Sequence, residues 1–313
     1  MSMLTAENQA AEYMVECEPI STDEYRIMAD AASRFGDRYG SGYVTRRAVL
    51  AEIGGLQQLV RAPEVFMGDH TTHQFRNEHG PQTAHWMMSG VYTVNDESVR
   101  FEVDSHRQAA AMTAVAWAAA RTAGGPGPEA KVSIFRGALD PSWLAELPTP
   151  TPEDRPVEQL TALVQGADFA RFDTTEQVRA AYTEQHRTHV FEGMNATYGW
   201  AYLASRWLGA LSRSDLTVLV DLFDSRHGDG RLDTHYDCWY NVTVQLSGAK
   251  DWRVGRGLIV PGEEIVTHTM RAGDVMVIPH DVPHHVDTPA DPGHSRHLIF
   301  TIDRRESEQL TTP

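Results

Sequence analysis

From Leu216 to the C-terminus, apolar and polar residues alternate in short runs separated by glycine and proline. The runs are "LTVLVDLFD", "YNVTVQLSG", "DWRVG", "LIVPG", "EEIVTHTM", "GDVMVIP", "HHVDTP" and "HLIFTID". Alternation with period two marks a strand with one packed face. Short strands at this spacing predict an antiparallel barrel or sandwich. The first 125 residues read mainly as helix. "STDEYRIMADAASRF" opens on a capping Ser21 or Thr22 followed by acidic residues, the order of a helix start. "TRRAVLAEIGGLQQLV" repeats apolar residues at helical spacing. The alanine-rich "SHRQAAAMTAVAWAAARTA" begins at Ser105, a good cap. Before it, "SGVYTVNDESVRFEVD" predicts a hairpin turning at Asn95-Asp96.

"GGPGPEA", at 124–130, breaks the pattern and is the expected boundary. It divides a mainly helical region, 1–125, from a strand-rich domain, 130–313. In the second part "KVSIFRG" and "THVFEG" read as strands and "PTPTPEDRP" as a stiff surface loop. "DTTEQVRAAYTEQH" predicts a helix capped by Asp173 with Glu176 three residues on. "ATYGWAYLASRWLGALS" predicts an amphipathic helix.

Composition narrows the class. With 313 residues, 41% apolar and 22% charged, the chain can fold around a core that needs no staples. No run is long enough to cross a bilayer, so no membrane partner is expected. The N-terminal stretch has no basic start followed by an apolar block, and Cys17 and Cys238 are far apart. No export signal and no disulfide framework are therefore expected, and a reducing cytoplasm is the expected location. The net charge of −16 argues against nucleic-acid binding through a basic surface; it reads either as solubility alone or as favouring a cationic or neutral partner over an anionic one.

The informative chemistry lies in "RLDTHYDCWYNVTVQLSGAKDW". Side chains two apart on a strand share a face. His235, Asp237, Trp239, Asn241, Thr243 and Gln245 take one face, while Tyr236, Cys238, Tyr240, Val242, Val244 and Leu246 take the other. The second face packs. The first begins with two metal-competent side chains. "GDVMVIPHDVPHHVD" offers a third in His284 or His285, and because neighbours on a strand point to opposite faces only one can join. Two histidines, one carboxylate and open positions make the facial triad of non-haem Fe(II) oxygenases. His268, His280, His294 and His297 have no partner at ligand spacing and read as surface or core residues. The four histidines of "DHTTHQFRNEHGPQTAHW" lack the compact spacing of a zinc site and read as a loop or lid. "DSRHGDG" reads as a loop at the mouth, with Arg226 and His227 either touching substrate or solvated.

On these residues the region from about Leu216 onward resembles the JmjC-type cupins, a branch of the Fe(II)/2-oxoglutarate-dependent oxygenases. The match consists of His235-x-Asp237, then Gln245, Gly248, Lys250 and Trp252, then Gly273-Asp274, Pro279 and His284. The resemblance implies an α+β chain whose second part is a double-stranded β-helix, the cupin or jelly-roll barrel. It implies His235, Asp237 and His284 as the iron ligands and catalytic centre, with His285 on the opposite face. It also implies that Fe(II) and 2-oxoglutarate act with dioxygen. Lys250 would pair with the distal carboxylate of 2-oxoglutarate as a fixed point charge, with Arg296 as the rival. Asn241 would stand beside iron and cosubstrate, and Thr234, Thr243 and Thr301 are the hydroxyls available to assist. Related halogenases lack the carboxylate, so Asp237 implies hydroxylation of an unactivated C–H. The implied substrate is an amino acid side chain, free or in a peptide or protein, and natural-product biosynthesis is one expected setting. The N-terminal helical part departs from the family's pattern and leaves a lid, peptide binding and homodimer formation open. Two other readings remain at this point. One is a metal-dependent cupin that uses no 2-oxoglutarate, an isomerase or dioxygenase. The other is a non-catalytic peptide-binding cupin module.

Overall fold

The computed structural model describes residues 91–94, 97–100, 103–125, 131–151, 161–166, 168–172, 174–196, 198–212 and 218–303. In chain order the elements begin with β1 (Val91–Val94), β2 (Glu97–Arg100), α1 (Val103–Thr122), β3 (Ser133–Phe135) and α2 (Pro141–Ala145). Next come β4 (Thr161–Gln165), β5 (Asp168–Arg171), α3 (Thr175–Glu184), β6 (His189–Phe191) and α4 (Gly199–Ser212). The last six strands are β7 (Leu219–Arg226), β8 (Trp239–Val254), β9 (Val266–Arg271), β10 (Val275–Ile278), β11 (His284–Asp287) and β12 (His294–Asp303). The two helices predicted before residue 70 and the four-histidine stretch lie outside the described residues.

Two compact units are present. In the first, β1 and β2 form the predicted antiparallel hairpin, with Val94 opposite Glu97. Helices α1 and α4 pack together in the same unit. Ala109, Ala110, Ala116, Ala119 and Ala120 of α1 are buried, as are Trp200, Leu203, Ala204, Trp207 and Leu208 of α4. The α4 residues recur at three and four apart, which is the stripe a helix presents to a core. Helix α1 already begins at Val103, so Ser105 sits in its first turn and is not the cap.

The second unit comprises Ala123–Met194 and Leu219–Arg304. It starts beside the predicted break, and α4, which the linear reading placed in the second domain, belongs to the first unit. The second unit is mostly antiparallel sheet with a few helices, consistent with a jelly roll. Its main sheet runs β3-β10-β8-β12-β7-β6-β4-β5. Helix α3 is capped by Thr174, whose hydroxyl accepts from the Gln177 amide while Gln177 accepts from the Thr174 amide. The expected Asp173–Glu176 pair is thus displaced by one residue, to a threonine that satisfies two orphan backbone donors at once.

β8 organises the unit. "YNVTVQLSG" and "DWRVG" were expected as two strands around a glycine turn, yet they form one strand of 16 residues. Its first half pairs with β10 on one side and β12 on the other, and its second half pairs with β9 and β11. The exchange of partners falls at Gly248, which has φ +66°, and the β12 register slips between Arg296 and His297. A Cβ at Gly248 would stand 2.0 Å from the His294 carbonyl oxygen, so the bend requires glycine. "LIVPG" is no strand either: Arg256–Leu258 forms a 3₁₀ turn. Further on, Asp274 of the Gly-Asp pair takes hydrogen bonds from the Gly137 amide (2.8 Å), the Arg271 amide (2.9 Å) and Arg136 (2.7 Å). That carboxylate ties β3 to the β9–β10 turn and so holds β10, the strand that leads to His284.

Candidate metal and dicarboxylate site

His235, Asp237 and His284 come together with one ligand atom each, all within 4.8 Å of one another. Main-chain geometry brings them there. His235 and His284 form an isolated antiparallel bridge in which each amide donates to the other's carbonyl, at 3.2 and 2.8 Å. Residues paired this way project their side chains to the same side. The ring centroids are 4.3 Å apart. Asp237 follows two residues after His235, and its carbonyl accepts from the Asp281 amide at 2.7 Å, closing the turn before His284.

The side chains are oriented so that they could hold a metal ion. Nδ1 of His235 lies 2.7 Å from the Asp233 carbonyl, and Nδ1 of His284 lies 3.0 Å from the Val282 carbonyl. An Nδ1–H donated to a carbonyl leaves the Nε2 lone pair free. Those Nε2 atoms are 3.9 Å and 3.7 Å from the Asp237 carboxylate oxygens. Burial, then the neighbouring His235, lowers the His284 pKa, which favours the neutral ring a metal needs. Asn241 donates to Asp237 Oδ2 at 2.6 Å and holds that carboxylate in place.

These residues border a cavity of about 170 Å³, and Lys250 lines its other end. Lys250 is 2% exposed. Its ammonium donates to Ser225 Oγ (2.9 Å) and Thr288 Oγ1 (3.0 Å), and no carboxylate forms an ion pair with it among the described residues. Burial lowers its pKa to about 8, opposed by Asp287 and Asp229 at longer range. His297 lines the same end, stacked on Phe223 with ring centroids 5.2 Å apart. Burial and the charge of Lys250 hold its pKa well below the ordinary value, so the ring is neutral.

The structure thus brings His235, Asp237, His284, Asn241 and Lys250 to one cavity, with Thr301 and Trp239 also on its wall. His285 turns away, with its ring nitrogens 3.2 Å from Arg231 and 3.3 Å from Thr234. Thr243 is fully buried and lies outside the lining. Arg296 also lies outside it, in an ion pair with Asp224 (2.9 Å) and hydrogen-bonded to Thr149 and Pro150. The reason is alternation: His297 faces the cavity, so its neighbour takes the opposite face. Asp224–Arg226, expected in a loop at the mouth, belong to β7, and His227 after them binds the Thr288 carbonyl at 2.9 Å, beside the Lys250 end. Sequence reasoning passed over Ser225, Thr288, His297 and Asp221. For β7 a signal was available, since Asp221, Phe223 and Ser225 follow the same two-residue period that singled out β8.

No protein-family model and no curated protein matches the chain. Among solved structures it is similar to the Escherichia coli ribosomal oxygenase YcfD at 18% identity, with TM-score 0.39 over 58% of this chain and 50% of that one. The same protein in complex with cobalt and 2-oxoglutarate matches at 17% identity and TM-score 0.37, over 58% of this chain and 50% of that one. Vicilin from hazelnut (Corylus avellana) matches at 14% identity and TM-score 0.27, covering 41% of this chain and 36% of that one. The chain spans about half the length of the YcfD chains it matches.

Proposed function

We propose that this protein is an Fe(II)- and 2-oxoglutarate-dependent oxygenase that hydroxylates an unactivated C–H of an amino acid side chain, free or within a peptide or protein. The sheet-rich unit is, on this reading, a double-stranded β-helix around the metal. The observation that carries the proposal is Lys250: a buried ammonium with hydroxyl partners and no ion-paired carboxylate among the described residues, lining the same cavity as a two-histidine, one-carboxylate triad. Burying an unpaired cation costs several kcal/mol. An anion arriving in the cavity recovers that cost.

His235 and His284 would hold the metal through Nε2, and Asp237 through its carboxylate. Iron with 2-oxoglutarate would supply dioxygen activation and C–H oxidation, with succinate and carbon dioxide as co-products. The chain's own residues bind and orient. Asn241 keeps the Asp237 carboxylate turned to the histidines. Lys250 takes the far carboxylate of the cosubstrate, and Ser225 and Thr288 keep the ammonium aimed. Phe223, Trp252 and the neutral His297 exclude water from that end.

The test is succinate formation from 2-oxoglutarate by the Fe(II)-loaded protein, screened against amino acids and peptides. If Mn(II)-loaded protein fails to bind 2-oxoglutarate, the reading falls.

A further inference from the structure

The cavity wall carries a second ionisable group, half-buried, that the triad and Lys250 leave unused. Asp221 lies on its wall, on β7, four residues before Ser225. Residues two apart share a face, so Asp221, Phe223 and Ser225 point the same way, and Asp221 stands about 13 Å along the strand from the Lys250 end. Across the sheet it pairs with Ile299, which pairs with Thr243. The adjacent row holds Asn241 and Thr301, which places Asp221 toward the triad end.

Asp221 Oδ1 accepts the Gly193 amide at 2.7 Å. Among the described residues no lysine or arginine pairs with it. Arg171 is held by both oxygens of Glu192, at 2.7 and 2.8 Å, and Arg231 leans to Asp287 at 3.6 Å. Burial raises the Asp221 pKa to about 6, opposed by the Gly193 amide and reinforced by Glu192. A carboxylate partly shielded from solvent gains from a cation; half-buried Asp221 has none among the described residues and borders the cavity's open volume. Phe169 and Phe223, with ring centroids 6.1 Å apart, line the same cavity. Aromatic rings near a carboxylate favour a cationic guest.

We propose that Asp221 determines substrate specificity by pairing with a cationic nitrogen group, an ammonium or guanidinium, on the substrate. This rests on the oxygenase reading. Lys250 takes the dicarboxylate at one end, Asp221 takes the substrate's cation, and carbons next to that cation reach the triad.

The test uses the full chain loaded with Mn(II) and 2-oxoglutarate without dioxygen. Calorimetry compares N-acetyl-arginine amide with its citrulline analogue, and N-acetyl-lysine amide with its norleucine analogue. The wild-type protein is expected to bind at least one cationic probe about tenfold or more tighter than its neutral partner. Asp221→Asn still accepts from Gly193, and it is expected to abolish the preference with unfolding temperature unchanged or raised and 2-oxoglutarate affinity unchanged. Wild-type protein without any preference overturns the proposal, whether or not the variant folds. A preference that survives in Asp221→Asn also overturns it. Loss of metal or 2-oxoglutarate binding in wild-type protein with the cation preference intact sinks the oxygenase reading and leaves the Asp221 assignment standing.

Discussion

The two ends of the cavity are built on different plans. At the triad end His235 and Asp237 are about a quarter exposed, at 26% and 25%, and the three side chains are set by main-chain hydrogen bonds within two short segments. At the other end Lys250 is 2% exposed and is held by side chains from 25 and 38 residues away. An open end allows a metal, a gas and a substrate to exchange. A closed end keeps a charge unscreened, so a single lysine can fix one end of a dicarboxylate. The difference predicts that the ends fail separately: metal affinity at one, cosubstrate affinity at the other.

The largest effect is expected from Asp237→Ala. Losing a ligand should weaken Co(II) binding by more than about 100-fold, read by anaerobic absorbance titration. Unchanged Co(II) binding would remove the triad end from the comparison altogether. Lys250→Met comes next. It should weaken 2-oxoglutarate by about 30-fold or more in calorimetry, with Co(II) affinity unchanged. Thermal stability should hold or rise, because Ser225 and Thr288 remain hydrogen-bonded to each other at 2.7 Å while a buried charge is gone. Equal losses of metal and dicarboxylate in that variant would show that the ends are not independent. Asn241→Ala should cost about 10-fold in metal affinity by freeing the Asp237 carboxylate.

The smallest expected effect is with pH. The Lys250 pKa is lowered to about 8, so the ammonium is present below that value and lost above it. 2-Oxoglutarate affinity should fall several-fold between pH 7 and pH 9, and Lys250→Met should show no such slope. The linkage to stability has the opposite sense. The folded pKa lies below the unfolded value, so the lysine's cost is full below about pH 8 and fades as the pH rises toward 10.5. A flat affinity profile in wild-type protein would separate Lys250 from dicarboxylate binding.

Much of the triad was legible in the linear chain. His235, Asp237 and Asn241 declare themselves through period-two alternation, which depends only on backbone geometry. His284 over His285 followed from a resemblance, and the structure supplies its basis in the backbone bridge to His235. Lys250 stood out as a lone lysine after a glycine and through the same resemblance, but the rest of its end was not legible. Its two hydroxyl partners come from β7 and from the residue after β11, and no local pattern connects them. Gly248 shows the same limit. A glycine between two alternating runs reads as a turn, yet it bends one continuous strand so that its halves join different ladders. Arg296 carries the right charge, but the β12 register gives its neighbour His297 the cavity and sends Arg296 to Asp224.

By itself the sequence determined most of the strands but not β4 or β5, the hairpin of the first unit, three helices of the described chain, and which side chains share a face, because helix and strand periods are properties of the backbone. Which faces meet was decided only in three dimensions. The bend at Gly248, the His235–His284 bridge and the β7–β12 register enclose Lys250 and Asp221 in one cavity. A lysine and an aspartate 29 positions apart thereby come to line one cavity.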